Sequence, residues 1–213
     1  MLQVRDVFQV KFGKIDQAVD LFSNPEKNVP FKTIPYSHNV MTDISGKMYT
    51  LVSELAVPGL EEYRAGRDAV FETKEFQDWF RQFQLFVEGG RREYYTFESD
   101  YTPWSRPGMI VVRETYQAYK WQIRSAVELL RRYGGLLTFY GVGQKPRILT
   151  DASGPMFQAI IEVEVENLSV WEMKRREVFK QVEFQVWFNQ MLTTAEAGTH
   201  DFYRVEYTAE ERR

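Results

Sequence analysis

The sequence contains itself twice. Met48-Tyr49 returns as Met156-Phe157, a shift of 108 positions. The same shift carries Val4-Arg5-Asp6 onto Val112-Arg113-Glu114 and Thr42-Asp43-Ile44-Ser45-Gly46 onto Thr150-Asp151-Ala152-Ser153-Gly154. It also carries Glu75-Phe76-Gln77-Asp78-Trp79-Phe80 onto Glu183-Phe184-Gln185-Val186-Trp187-Phe188. One register held over about 100 positions without a gap marks a tandem duplication. The 213 residues therefore read as a first unit at 1–98, a linker at 99–108, a second unit at 109–207 and a charged tail at 208–213. The linker, Tyr101-Thr102-Pro103-Trp104-Ser105-Arg106-Pro107-Gly108, is rich in turn formers.

Each unit reads as β-α-β-β-α-β. Residues 2–11 alternate, with Leu2, Val4, Phe8 and Val10 on one face and Gln3, Arg5 and Gln9 on the other. Ile15, Ala18, Val19 and Phe22 then follow at helical spacing, echoed by Ile123, Ala126, Val127 and Leu130. Gly134-Gly135 is expected to end the second of these helices as a C-cap. Strands are expected near 36–42 and 144–150, and again at 49–57 and 157–165, joined by the Thr-Asp-x-Ser-Gly turns. Long amphipathic helical regions at 60–86 and 168–194 precede closing strands at 93–98 and 201–206. The fold class is α+β: a tandem duplication of a ferredoxin-like unit, four antiparallel strands with two helices on one face. A lone unit leaves its other sheet face bare. Two units cover that face by packing sheet to sheet, either within one chain or with a second chain as a homodimer. Aromatics make up 15% of the chain, and Phe76, Trp79, Phe80, Phe184, Trp187 and Phe188 are expected in the core under the helices.

Composition narrows the chemistry. No cysteine is present, which excludes disulfides, thiolate metal sites and a cysteine nucleophile. Two histidines, His38 and His200, do not make a multi-histidine metal centre. With 27 basic and 30 acidic residues there is no basic footprint for nucleic acid or a membrane surface. The chain opens without a basic and apolar leader pattern and has no run long enough to span a bilayer, so a cytoplasmic location is the expectation.

The Glu-Phe-Gln-x-Trp-Phe segments, with the strands Val4-Arg5 and Val112-Arg113, resemble those of dimeric α/β-barrel proteins. The likeness is to the NIPSNAP-like branch, beside the antibiotic-biosynthesis monooxygenase-like branch, and covers nearly the whole chain, once per repeat. The resemblance implies a small-molecule cavity between two sheets. It also implies a choice among cofactor-independent oxygenase, cyclase or lyase chemistry, haem binding, and a non-catalytic binding or scaffold role.

Strand alternation selects the residues that face away from the helices: Gln3, Arg5, Val7, Gln9 and Glu54, with Val111, Arg113, Thr115, Gln117 and Glu162 in the second unit. A buried arginine needs a carboxylate or an anionic ligand. Two readings follow. Arg5–Glu54 and Arg113–Glu162 are internal pairs that support the sheet, or the arginines anchor a substrate and the glutamates act as bases. Gln9, Gln117, Tyr95 and Tyr203 are the candidate substrate contacts, the tyrosines being equally explicable as core. His38 breaks the repeat, its partner position being Pro146, and a histidine there suits proton transfer. His200, Arg91-Arg92 and Lys174-Arg175-Arg176 read as surface positions. No metal site and no resident cofactor are expected, with haem as the alternative; the expected partner is a small molecule.

Overall fold

Alternating apolar residues make the strands, and apolar residues three and four apart make the helices between them. A computed structural model describes residues 1–24 and 26–209. The first half runs β1 (Leu2–Val10), α1 (Ile15–Ser23), β2 (Ser37–Asp43), β3 (Thr50–Val57), α2 (Leu60–Phe71), α3 (Lys74–Gln84) and β4 (Val87–Phe97). The second half repeats this as β5 (Ile110–Ala118), α4 (Ile123–Phe139), β6 (Gln144–Asp151), β7 (Gln158–Val165), α5 (Leu168–Val178), α6 (Val182–Leu192) and β8 (Ala195–Ala209). Each long helical region is thus two helices. The break is set at Thr73 and Gln181, whose backbones are extended, and the Thr73 side chain accepts from the Phe76 amide to cap α3.

The strands of the halves are ordered β4-β1-β3-β2 and β8-β5-β7-β6, all antiparallel neighbours. β2 then pairs with β8, and β4 with β6, so eight strands close into one barrel. The two units pair within the chain. Closure removes the exposed strand edges that each half alone presents.

Three expectations are corrected. First, α4 does not stop at Gly134-Gly135 but runs on to Phe139. Gly134 serves close packing instead: a Cβ there would lie 2.9 Å from Cβ of Pro146 on β6. Second, the closing strands start six residues early, at Val87 and Ala195, because β1 and β5 offer partners along their whole length. Gly90 pairs with Phe8, whose ring occupies the space a Cβ would need, at 2.7 Å. Third, β8 continues to Ala209, which pairs with His38, so 208 and 209 belong to the sheet; 210–213 lie outside the described residues.

The main cores lie between helices and sheet, one in each half. Trp79 Nε1 donates to the Leu21 carbonyl at 3.0 Å, and Trp187 Nε1 to the Leu129 carbonyl at 2.8 Å, the same bond in each repeat. Phe80 and Phe188, expected in the core, are 39% and 46% exposed. The linker is not a passive spacer. Trp104 is buried inside the barrel against Val7, Met41, Val52, Val111 and Val205.

The repeated Thr-Asp-x-Ser-Gly turns explain themselves in three dimensions. Asp43 Oδ1 accepts from the Thr50 amide at 2.6 Å and Asp151 Oδ1 from the Gln158 amide at 2.7 Å, closing each hairpin. Ser45 Oγ accepts from the Phe202 amide at 3.0 Å, while Ser153 Oγ accepts from the Tyr94 amide at 2.9 Å. Each half therefore clasps the closing strand of the other. Replacing Ser45 or Ser153 by alanine is expected to cost about 1 kcal/mol each. The two costs should add to within about 0.5 kcal/mol, because the sites are separate. Urea unfolding of the single and double variants measures this.

Candidate functional site

Strand alternation delivers the predicted polar residues to the barrel interior. Arg5 Nε donates to Glu54 Oε1 at 3.0 Å, and Arg113 donates to Glu162. All four side chains are at most 4% exposed. The Arg5 guanidinium lies 5.0 Å from the Tyr203 ring centre and Arg113 lies 4.8 Å from that of Tyr95. Each arginine thus pairs with a glutamate of its own half and stacks on a tyrosine of the other. The Tyr95 hydroxyl donates to Glu93 Oε2 at 3.1 Å. This is the internal-pair arrangement. The pairs lie across the barrel as struts beside Trp104, with Gln3, Asn39, Arg147 and Glu164 also buried, and Arg5 Nη2, Glu54 Oε2 and Glu162 Oε2 have no hydrogen-bond partner among the described residues. Gln9 and Gln117 lie at the strand ends, where Nε2 of each donates to the Met48 carbonyl at 2.8 Å and the Met156 carbonyl at 2.6 Å.

A third buried arginine escaped the sequence reading. Arg147 on β6 is fully buried, its Nε donating to the Thr102 carbonyl at 2.7 Å and its guanidinium 3.3 Å from the Trp104 ring centre. The linker supplies both contacts. Only the alternation of a short strand interrupted by Pro146 pointed inward at this position, and that signal is weak.

Burial, reinforced by the nearby Glu162 carboxylate, pushes Glu54 up to about 7 against the pull of Arg5 and Arg113.

Two pockets flank this interior. One, of about 510 Å³, opens at a barrel mouth and is polar, with Gln9, Thr50, Arg91 and Tyr203 in its wall. The other, of about 620 Å³, lies in the first half on the opposite face of the sheet, under α2 and α3. Aromatic rings dominate it, among them Phe31, Tyr63, Phe76 and Trp79. Phe80 is half-exposed because it edges this opening. The bidentate Arg92–Asp6 pair, with both contacts at 2.6 Å, forms a polar corner. Arg92, expected on the surface, is thus partly buried.

His38 does not join the barrel interior. It sits on the helix-facing side of β2, 2% exposed, between Phe22, Phe31 and Tyr207. Its Nε2 is 2.9 Å from Ser53 Oγ. Burial lowers its pKa to about 4, so the ring is neutral at pH 7. Nδ1 has no hydrogen-bond partner among the described residues. The less costly tautomer puts the proton on Nε2, donating to Ser53 Oγ. Ser53 lines the first-half pocket, and its own hydroxyl proton is then available to a ligand oxygen. His38 stands behind Ser53 and outside the lining, an arrangement that does not suit an axial haem ligand. Among the described residues no cluster of three or more His, Asp or Glu is arranged to hold a metal, and no helix is long and apolar enough to cross a membrane.

No protein-family model matches the chain, and no curated protein matches it in sequence. Its likeness is structural. It superposes on a candidate monooxygenase from Lactobacillus acidophilus NCFM with a TM-score of 0.70 and 5% identity, covering 99% of this chain and 96% of that one. A candidate monooxygenase from Fusobacterium nucleatum gives 0.69 and 10%, covering 99% and 94%. An anthrone oxidase-like protein gives 0.65 and 12%, covering 100% and 94%. The chain is a single-chain α/β barrel of two ferredoxin-like halves. These proteins share that architecture end to end.

Two outcomes are expected of the internal struts. Arg5→Met leaves Glu54 buried without its partner and should cost about 3–5 kcal/mol, read by urea unfolding. Glu54 also binds its proton more tightly folded than unfolded. Its contribution to stability is full below its ordinary value of 4.5 and is lost as pH rises through about 7. A plot of urea midpoint against pH should fall across that window, and Glu54→Gln should flatten the fall.

Proposed function

We propose that the chain is a small-molecule enzyme of the monooxygenase-like barrel type, whose first-half pocket holds a flat, largely apolar molecule with one oxygen acceptor. The observation that carries this is the aromatic-walled pocket of about 620 Å³ with the Ser53 hydroxyl in its wall. Apolar walls with a few placed polar groups are the usual make-up of ligand sites. Ser53, oriented by His38, donates to the ligand oxygen. The rings of Phe31, Phe76 and Trp79 bury its faces, and the Arg92–Asp6 pair bounds the polar end without a net charge. Members of this structural class named as monooxygenases and as anthrone oxidase-like support oxygenation of an aromatic ketone as the reaction. The paired state of Arg5, Glu54, Arg113 and Glu162 favours the scaffold reading for the space between the sheets. Those residues, with Gln9, Gln117, Tyr95 and Tyr203, act there as positioning elements for the barrel. A non-catalytic binding protein with the same pocket is the second reading.

Anthrone is a suitable probe. Calorimetry should show one molecule bound at the first-half pocket. Gly66 of α2 lines that pocket, so Gly66→Leu fills space there while removing a helix-interior glycine. Its new Cβ would lie 3.4 Å from the Tyr36 ring, an ordinary contact; the variant should fold, checked by its urea midpoint, and lose the binding. Ser53→Ala should weaken it about fivefold to tenfold, the equivalent of one hydrogen bond. Dioxygen uptake on binding supports the oxygenase; binding without uptake supports the second reading. Binding that survives Gly66→Leu overturns the site.

A further inference from the structure

The second half carries a pocket at the repeat-equivalent place. It has a volume of about 470 Å³, and Tyr116, Tyr133, Arg175, Phe184, Trp187 and His200 stand in its wall. The polar corner has changed character between the halves. The positions of Asp6, Phe8, Arg67 and Arg92 are taken by Glu114, Tyr116, Arg175 and His200. A closed bidentate ion pair has been replaced by a cluster built around an imidazole.

Glu114 on β5 is 2% exposed. It is fully engaged. Tyr116 donates to Oε2 at 2.5 Å, Tyr133 donates to Oε1 at 3.1 Å, and His200 Nε2 stands 3.2 Å from Oε1. Burial raises the carboxyl pKa, but the hydrogen bonds from His200 and Tyr116 and the charge of Arg175 outweigh it and hold it below the usual range. Burial and the Glu114 charge push both tyrosines up, so they remain donors. Arg175 on α5 completes the set, its guanidinium 4.2 Å from the Phe179 ring centre and its Nη2 3.2 Å from the same His200 Nε2.

One nitrogen therefore has two partners of opposite demand. A neutral imidazole accepts at Nε2 from Arg175. A protonated one donates from Nε2 to Glu114. Both partners are already at 3.2 Å, and a ligand hydroxyl reaches the Nε2 lone pair by taking the place of the Arg175 donor. His200 is also 36% exposed on its side chain, which leaves the ring accessible. A general base needs this combination: a lone pair whose donor can be displaced, a carboxylate waiting for the imidazolium, and a cation for the product anion.

We propose that the second-half pocket is a separate acid–base site that takes a weakly acidic aromatic hydroxyl compound and holds it as its anion. The phenolic O–H bond breaks, its proton forms an N–H bond at His200 Nε2, and the electron pair stays on the ligand oxygen. The new N–H donates to Glu114. The Arg175 donor that Nε2 gives up passes to the phenolate. No electrons change hands. This site is independent of the reading of the first-half pocket, whose Arg92–Asp6 corner has both carboxylate oxygens engaged by the guanidinium and carries no imidazole.

The probe is para-nitrophenol, whose anion is coloured. Titrated with the whole chain at a pH below its own pKa, it should show an ionised fraction raised roughly tenfold on binding, about one pKa unit. His200→Gln keeps the size and removes the base, and should bind the phenol without the colour change. Arg175→Met should lose most of the change. Arg176→Gln removes an equal charge from the solvent side of α5 and should leave the effect intact. Both histidine and arginine positions are partly exposed, and circular dichroism is the check that the variants fold. The proposal is overturned if wild type does not bind para-nitrophenol, if binding leaves its ionisation unchanged, if His200→Gln retains the shift, or if Gly66→Leu in the first half abolishes it.

Discussion

Four antiparallel strands with helices on one face are an incomplete object. Two edges carry unpaired amides and carbonyls, and one face has nothing to lie against. This chain answers both needs with its own duplicate. β2 pairs with β8 and β4 with β6 to close the edges, and the two bare faces become one interior. The reciprocal serine clasps belong to the same solution, since each ties a turn of one half to the closing strand of the other. The positions of the pockets also follow. With the sheets turned toward each other, the space available to a ligand lies at a barrel mouth or on the outer faces beneath the helices.

Closing a barrel around arginines has a cost that the sequence meets with equal care. Arg5 and Arg113 lose water, and each gains a carboxylate and a tyrosine face in return. Such pairs add little stability over apolar residues of the same size but are expensive to break. They hold one register of the two halves against others in which a charge would be left alone. The interior carries these pairs, and the outer faces, where the halves have diverged, carry the pockets on which the proposed function rests.

Much of this was legible in the chain because the repeat doubles every local signal. Arg5 and Arg113 both alternate inward, so the phase of either strand is supported by the other. Legibility ended where one residue type serves two purposes or where partners are far apart. Gly134 reads as a helix end, but it lets α4 lie against Pro146. Phe80 and Phe188 sit at core spacing on their helices, yet periodicity cannot say whether a neighbour covers them; here they edge pockets. Arg92 and His200 read as surface charge, since Asp6 and Glu114 lie 86 positions away along the chain and only the sheet register brings them opposite, while Arg175 is brought to His200 by the packing of α5 on the sheet.

Trp104 lies in the linker, outside both repeats. Two identical chains arranged about an axis must present every interior side chain in pairs, and a large group near that axis would collide with its own image. Covalent fusion lifts that parity rule. A single indole can fill the barrel, and Arg147 can stack on it at 3.3 Å while its counterpart in the first half is the smaller Asn39. Joined halves are therefore free to drift as complements rather than copies. The single indole that the linker places inside the barrel is the structural record of that freedom.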